Sequence, residues 1–241
     1  MITVGVDLAS RAENTGVCVL RWDAGQVGIE RLDGRLEDSD LKALLRPPSD
    51  VVGLDVPLGW PRQFVELVRR HSEMKSVAGG EMKRLSHRAT DRWVHCKFGR
   101  LPLSVSTDRI AYPALRAAPL LEGMPRDGSG GVVEVYPALA LRRWGLPHRG
   151  YKGTAGRAER EKMVEQLLSA LPRLRERGTH LDRLRDNDNC LDSLVAALVA
   201  RAAALDLCEP IPREHRDDAR VEGWIHVPLA GSLARLEAGA T

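Results

Sequence analysis

A chain of 241 residues with 43% hydrophobic and 29% charged residues has room for one large α/β domain or two small ones, in the composition of an ordinary globular protein. Aromatic residues make up only 4%, so the core rests on Leu, Val, Ile and Ala, and this argues against an extended platform for stacking single-stranded bases. The net charge of +3 is too small to mark the whole chain as a polycation, so any basic function has to be local.

Residues Ile2–Asp7 read as a first strand, and Arg11–Asn14 as a polar turn. Thr15–Trp22 and Gln26–Leu32 read as two further strands joined at Ala24-Gly25. Asp38–Leu45 is a short amphipathic helix stopped by Pro47-Pro48. Asp50–Val56 is an apolar strand expected to be buried on both faces, followed by a break at Pro57-Leu58-Gly59 and a helix over Pro61–Ser72. From about 73 to 131 the pattern weakens, punctuated by Gly79-Gly80, Gly123 and Gly128–Gly131, and a mixed helix-and-loop insertion is expected there. Val132–Val135 is a strand and Pro137–Trp144 a helix, with a loop over Pro147–Gly156. Ala158–Leu171 and Pro172–Leu184 read as two helices, Leu191–Leu205 as the clearest helix of all, and Gly223–Val227 as a short last strand.

Hairpins followed by crossover strands predict one domain over residues 1–241: a mixed sheet with helices on both faces and an insertion at about 73–131. A doubly wound nucleotide fold would begin with a crossover directly after the first strand, whereas here a short turn leads into a second strand. The Leu191–Leu205 stretch is interrupted by Arg201 and is too short to span a bilayer. The start of the chain shows no basic leader and no cleavage motif. Cys18, Cys96, Cys190 and Cys208 are widely spaced and form no Cys-x-x-Cys pair. The expectation is a cytoplasmic protein with reduced cysteines and no membrane partner; the sequence leaves the oligomeric state open.

Four acids stand at the ends of apolar elements: Asp7 after Val4-Gly5-Val6, Asp55 after Val51–Leu54, Glu134 after Val132-Val133, and Asp192 at the opening of the Leu191–Leu205 helix. A carboxylate beside a buried strand is costly unless it is paired or binds a metal. Hydrolysis of a phosphodiester needs an activated water and relief of charge on the phosphate, which divalent cations held by carboxylates supply. Asp7, Asp55, Glu134 and Asp192 are therefore the expected catalytic and metal-holding set, with Mg2+ or Mn2+ as the cofactor. Asp188 lies one turn before Asp192 and is a further candidate ligand, or alternatively the helix N-cap.

The basic charge is concentrated between Glu81 and Arg116, where eight Lys/Arg face three acids. Such a block suits a phosphate-bearing partner, DNA or RNA, although a solvated basic surface is the plain alternative. Within it Arg88-Ala89-Thr90-Asp91-Arg92 offers two guanidinium groups around a Thr-Asp pair. Lys152, in the Tyr151-Lys152-Gly153 loop, is a second expected phosphate contact. Trp224 is expected to pack in a core or lid.

Gly5-Val6-Asp7-Leu8-Ala9, Gly53–Gly59, Arg88–Asp91, Glu134–Pro137, Tyr151-Lys152, Leu191–Leu194 and Glu222–Ile225 occur in one order along nearly the whole chain. In this the chain resembles the bacterial and archaeal family of predicted RNase H-like nucleases (domain of unknown function 429). The resemblance implies an RNase H-like fold and a metal-dependent nuclease centre at Asp7, Asp55, Glu134 and Asp192. It also leads to the expectation of a His-Asp-like pair before Asp192, where this chain has Asp188-Asn189. Two rival readings remain. One is a phosphotransferase or hydrolase of the actin-like ATPase type, which shares the first-strand Asp but places a Gly-rich turn directly after it. The other is a non-catalytic nucleic-acid-binding module with a degenerate site.

Overall fold

Residues 1–76, 80–175 and 178–238 are described by a computed structural model, and they form a mixed α/β fold with a six-stranded sheet. The first three strands follow the apolar runs closely: β1 (Ile2–Asp7), β2 (Gly16–Asp23) and β3 (Gln26–Asp33) make an antiparallel meander. β4 (Val51–Asp55) runs parallel to β1, and β5 (Val132–Glu134) completes the side of the sheet beyond it. A two-residue strand, β6 (Leu174–Arg175), pairs parallel to β3, giving the order β5-β4-β1-β2-β3-β6.

Ten α-helices lie among the described residues. Five come before β5: α1 (Asp38–Leu44), α2 (Arg62–Ser72), α3 (Met82–Ser86), α4 (Ala89–Phe98) and α5 (Ala111–Ala117). Five follow it: α6 (Pro137–Arg143), α7 (Arg157–Ala170), α8 (Gly178–Asp186), α9 (Asp188–Ala204) and α10 (Arg216–Glu222). None is long and apolar enough to cross a membrane. Gly79 of the expected Gly79-Gly80 break, and residues 176–177 of the expected helix Pro172–Leu184, lie outside the described residues.

The structure differs from the expected elements at three places. Pro172–Leu184 is not one helix: Leu171 caps α7, Pro172 cannot continue it, and the backbone N–H of Val27 binds Arg173 O at 3.0 Å as β6 joins the sheet. The helix resumes only at Gly178. Gly223–Val227 forms no strand, only a single bridge between Ile225 and Glu134. The last long helix starts three residues earlier than its apolar run, because Asn187 caps it by accepting the backbone N–H groups of Asn189 (2.8 Å) and Cys190 (3.3 Å). Asp188 is therefore not the N-cap but the first helical residue, and Asp192 sits one turn inside α9.

The described chain divides into two compact units. The first comprises Met1–Asp55, Val135–Glu209 and His226–Thr241; the second comprises Val56–Glu134 and Pro210–Ile225. In the first unit α9 is apolar on nearly every side and accordingly buried along most of its length. It lies directly on β1 and β4 because both strands carry glycine at the contact. A Cβ on Gly5 would stand 2.0 Å from Ser193 O and 2.2 Å from Ala197 N, and one on Gly53 would stand 2.4 Å from Ala196 O. Gly5 and Gly53 are register partners, so together they form a slot for the small-residue face of α9. In the second unit Ala89, Ala219 and Trp224 form the centre of a small core, with the Trp93 ring tilted against Trp224 at a centroid distance of 5.1 Å.

Candidate active site

The end of β1 and the end of β4 are in register: Asp7 stands opposite Asp55 in the parallel pair, and opposite Gly16 of β2 on its other side. Both carboxylates are half-buried. The glycine slot determines what comes next. Because α9 is pressed onto Gly5 and Gly53, the residue one turn before Ala196 on its face, Asp192, is delivered to the same strand ends, fully buried. Asp7 feels burial first, then the negative charges of Asp192 and Asp55, against the positive charge of Lys152, with Asp188 adding to the repulsion; its carboxyl is held well above the usual carboxylate range. The structure thus brings together Asp7, Asp55, Asp188 and Asp192 in the first unit, with Lys152 as the cation among them.

Asp192 is gripped on both oxygens. Tyr151 donates its O–H to Oδ1 at 2.9 Å, and the Lys152 ammonium forms an ion pair with Oδ2. Burial raises the Asp192 carboxyl above its ordinary value although Lys152 and Tyr151 pull it down. Burial alone would lower the Lys152 ammonium, but Asp192, then Asp7 and Asp55, outweigh it and raise it. The loop carrying Tyr151 and Lys152 is fixed from behind by Arg160. This buried guanidinium donates to Tyr151 O and Gly153 O, both at 2.6 Å, to Arg185 O at 2.7 Å and to Asp186 O at 3.3 Å. The last two carbonyls close α8, where a cation is favoured by the helix dipole. Asp188 adds a weak tie, accepting the backbone N–H of Gly153 at 3.3 Å.

Sequence reading missed Arg160. Its signal is present nonetheless: Arg160, Met163, Val164 and Leu167 form the buried stripe of α7, and a charge in the apolar phase of a helix requires a partner.

Glu134 belongs to the second unit and is engaged there. Arg88 grips it with two parallel bonds, Nη1 to Oε2 at 2.7 Å and Nη2 to Oε1 at 2.6 Å, and the Leu58 backbone N–H adds a third at 3.0 Å. Arg88 also donates Nε (3.1 Å) and Nη2 (2.9 Å) to Asp91, and Nη1 to Glu222 O at 3.2 Å. A guanidinium has five N–H donors. All five are used here, so Arg88 has none to spare for a phosphate. Burial pushes the Glu134 carboxyl up despite Arg88, while Asp91 and Glu134 hold the Arg88 guanidinium charged against the opposing effect of its own burial.

Thr90 and Asp91 are equally internal. Thr90 accepts the Ile225 backbone N–H at 2.9 Å, and Asp91 accepts the Arg88 backbone N–H at 2.9 Å, the reciprocal half of a capping box at the start of α4. Glu222 closes the network by accepting the backbone N–H groups of Arg62 (2.8 Å) and Ala89 (2.7 Å). Arg92, half-buried, donates to His87 O at 2.5 Å. Of the expected substrate contacts, Lys152 is the one that belongs to the first unit, where it pairs with Asp192.

Among the described residues no three His, Cys, Asp or Glu side chains stand in ready-made metal-ligand geometry. The donor chemistry of the first-unit cluster nonetheless fits a hard divalent cation. Its donors are the carboxylate oxygens of Asp7, Asp55, Asp188 and Asp192, with the Lys152 ammonium beside them. Were Mg2+ or Mn2+ bound there, Asp7, Asp55 and Asp192 would be the residues to hold it.

No curated protein and no solved structure matches the chain. A family profile does, over residues 5–217, which include Asp7, Asp55, Arg88, Glu134 and α9; its description is protein of unknown function (DUF429). The chain belongs to the DUF429 family.

Proposed function

We propose that the aspartate cluster of the first unit is the catalytic centre of a divalent-cation-dependent nuclease, hydrolysing phosphodiester bonds in DNA or RNA on an RNase H-like scaffold. The observation that carries this reading is the register of Asp7 with Asp55 at adjacent strand ends, with Asp192 set against them by α9 and the charges of both raising the Asp7 carboxyl after burial. An antiparallel meander followed by parallel strands is the topology expected of that scaffold. A bound Mg2+ or Mn2+ would supply a Lewis acid and an activated water at neutral pH. The chain's own contribution is placement. The sheet fixes Asp7 and Asp55, Tyr151 orients Asp192, and Lys152 offers an ammonium beside the same oxygens.

The second unit supports a polyanionic substrate by charge. Its sixteen Lys/Arg outnumber its twelve Asp/Glu, while the rest of the chain has twenty against twenty-one, so the net positive charge of the protein resides there. Saturation of Arg88 moves the expected phosphate contacts to exposed residues of that unit such as Lys97 and Arg109. Glu134, already bound to Arg88, enters the reading as part of the buried framework of the second unit.

The test is cleavage of labelled single-stranded, duplex, hybrid and branched DNA and RNA by the wild type and Asp7→Asn, with Mg2+, Mn2+ or EDTA. Metal-dependent cleavage that disappears in Asp7→Asn is expected. Cleavage that survives in EDTA, or equally in Asp7→Asn, would overturn the assignment.

A further inference from the structure

Lys152 stands where a second cation would have to arrive. Its ammonium covers Asp192 Oδ2 while Tyr151 covers Oδ1, so each oxygen of the deepest aspartate already has a donor. The two donors are not equivalent. Tyr151 is 2% exposed and fixed, whereas about half of the Lys152 side chain faces solvent. Arg160 holds the carbonyls on either side of Lys152, those of Tyr151 and Gly153. The backbone at Lys152 is therefore anchored while its four-carbon stem is free to swing, and departure of the ammonium requires a rotamer change and no loop movement.

We propose that Lys152 is a tethered counter-ion that occupies Asp192 when no divalent cation is bound and yields Oδ2 when one arrives, making it a determinant of the site's cation affinity. The inference rests on the reading of the aspartate cluster as a cation site. Without the ammonium, Asp192 would keep the Tyr151 hydroxyl on Oδ1 and lose the charged partner on Oδ2, the position for which Lys152 and a metal would compete. Apparent metal affinity is then reduced by the fraction of molecules in which Lys152 covers Asp192. Once displaced, the ammonium remains tethered within reach of the site, available to an anionic substrate.

The experiment is a calorimetric Mn2+ titration at fixed pH of the full chain, with free Mn2+ followed in parallel by electron paramagnetic resonance. The variants are Lys152→Met, Lys152→Arg, Asp7→Asn and the double change Lys152→Met with Asp192→Asn. Lys152→Met is expected to bind Mn2+ about tenfold tighter than the wild type. Lys152→Arg should stay near the wild type, and the double variant should lose the gain. Thermal unfolding in EDTA establishes that each variant is folded, and Lys152→Gln replaces the methionine variant should that one not fold. Equal or weaker Mn2+ binding in the neutral variants overturns the tethered-cation role. If wild-type binding is nevertheless lost in Asp7→Asn, the catalytic reading stands without it. A gain that persists after Asp192→Asn also overturns the role. Absence of Mn2+ binding in every variant overturns both readings.

Discussion

The two units each bury a group of charges, and the groups are built on opposite plans. In the second unit Arg88, Asp91 and Glu134 are almost completely buried and closed on themselves: every guanidinium N–H is taken, and both Glu134 oxygens are held. In the first unit Asp7, Asp55, Asp188 and Asp192 are gathered with the Lys152 ammonium paired to Asp192, and Asp7, Asp55 and Asp188 are half-open to solvent. A saturated network has nothing left with which to bind, so its role is to join segments far apart in sequence. A gathering of like charges stores a demand for positive charge, which is a property of sites rather than of scaffolds. The surfaces differ in the same way. Among the described residues, all the exposed large apolar side chains except Met1 lie in the second unit, Val65, Leu103, Tyr112 and Leu115 among them.

The sharpest way to break this contrast is to open the saturated network. Arg88→Met leaves Glu134 and Asp91 buried without their partner and is expected to cost about 3–5 kcal/mol of stability, read from urea unfolding. A loss below about 1 kcal/mol would show that the network is not structural. Arg88→Lys should also destabilise, because one ammonium cannot replace two bidentate pairs.

Gly5→Ala tests the glycine slot. Its Cβ would meet backbone atoms of α9 at 2.0 and 2.2 Å, so the helix must lift; a loss of about 1–3 kcal/mol or more is expected. Because Asp192 travels with α9, Mn2+ binding should weaken along with stability. The corresponding change at exposed Gly178, where an added Cβ meets nothing, should leave both nearly unchanged.

Asp7→Asn has the opposite sign. The folded-state carboxyl of Asp7 lies above its unfolded value of about 3.9. Between those two values the folded state keeps a proton that the unfolded state has lost, so this group costs stability as pH rises. In EDTA at pH 7–8 the Asn variant should therefore be more stable than the wild type by about 1 kcal/mol, with a flatter dependence of Tm on pH from 4 upward. Mn2+ should raise Tm in the wild type and not in the variant. Equal pH dependence in the two proteins would remove the electrostatic basis of the site.

The smallest effect on folding is expected on the basic surface. Arg109→Glu changes an exposed side chain and should shift stability by less than about 0.5 kcal/mol. It should nevertheless weaken binding of labelled nucleic acid and lower the salt dependence of that binding. Unchanged binding would take this part of the second unit out of the interface.

Much of the fold is legible in the chain because it is local. The runs ending at Asp7 and Asp55 are apolar enough to specify strands, and the Leu191–Leu205 run specifies a buried helix, without reference to anything distant. Elements fixed by distant contacts are not legible. β6 is two residues long and exists because β3 offers an edge, and no periodicity can reveal it. Asn187 outcompetes Asp188 as the helix cap by a choice of backbone geometry that composition leaves undecided.

The sequence by itself determined which acids end which strands, where the basic charge is concentrated and which family the chain belongs to. Only the tertiary structure decided how those charges are shared. Arg88 and Lys152 are both cations near acids in sequence-plausible phosphate positions, yet one is sealed among carboxylates with every donor spent and the other rests on a single aspartate with half its side chain in water. The physical reason is that a charge's role depends on its partners and its solvent. Lys152 meets Asp192 from 40 residues away, on a helix seated against Gly5 and Gly53, whereas Arg88 meets Asp91 three residues on and Glu134 46 residues away.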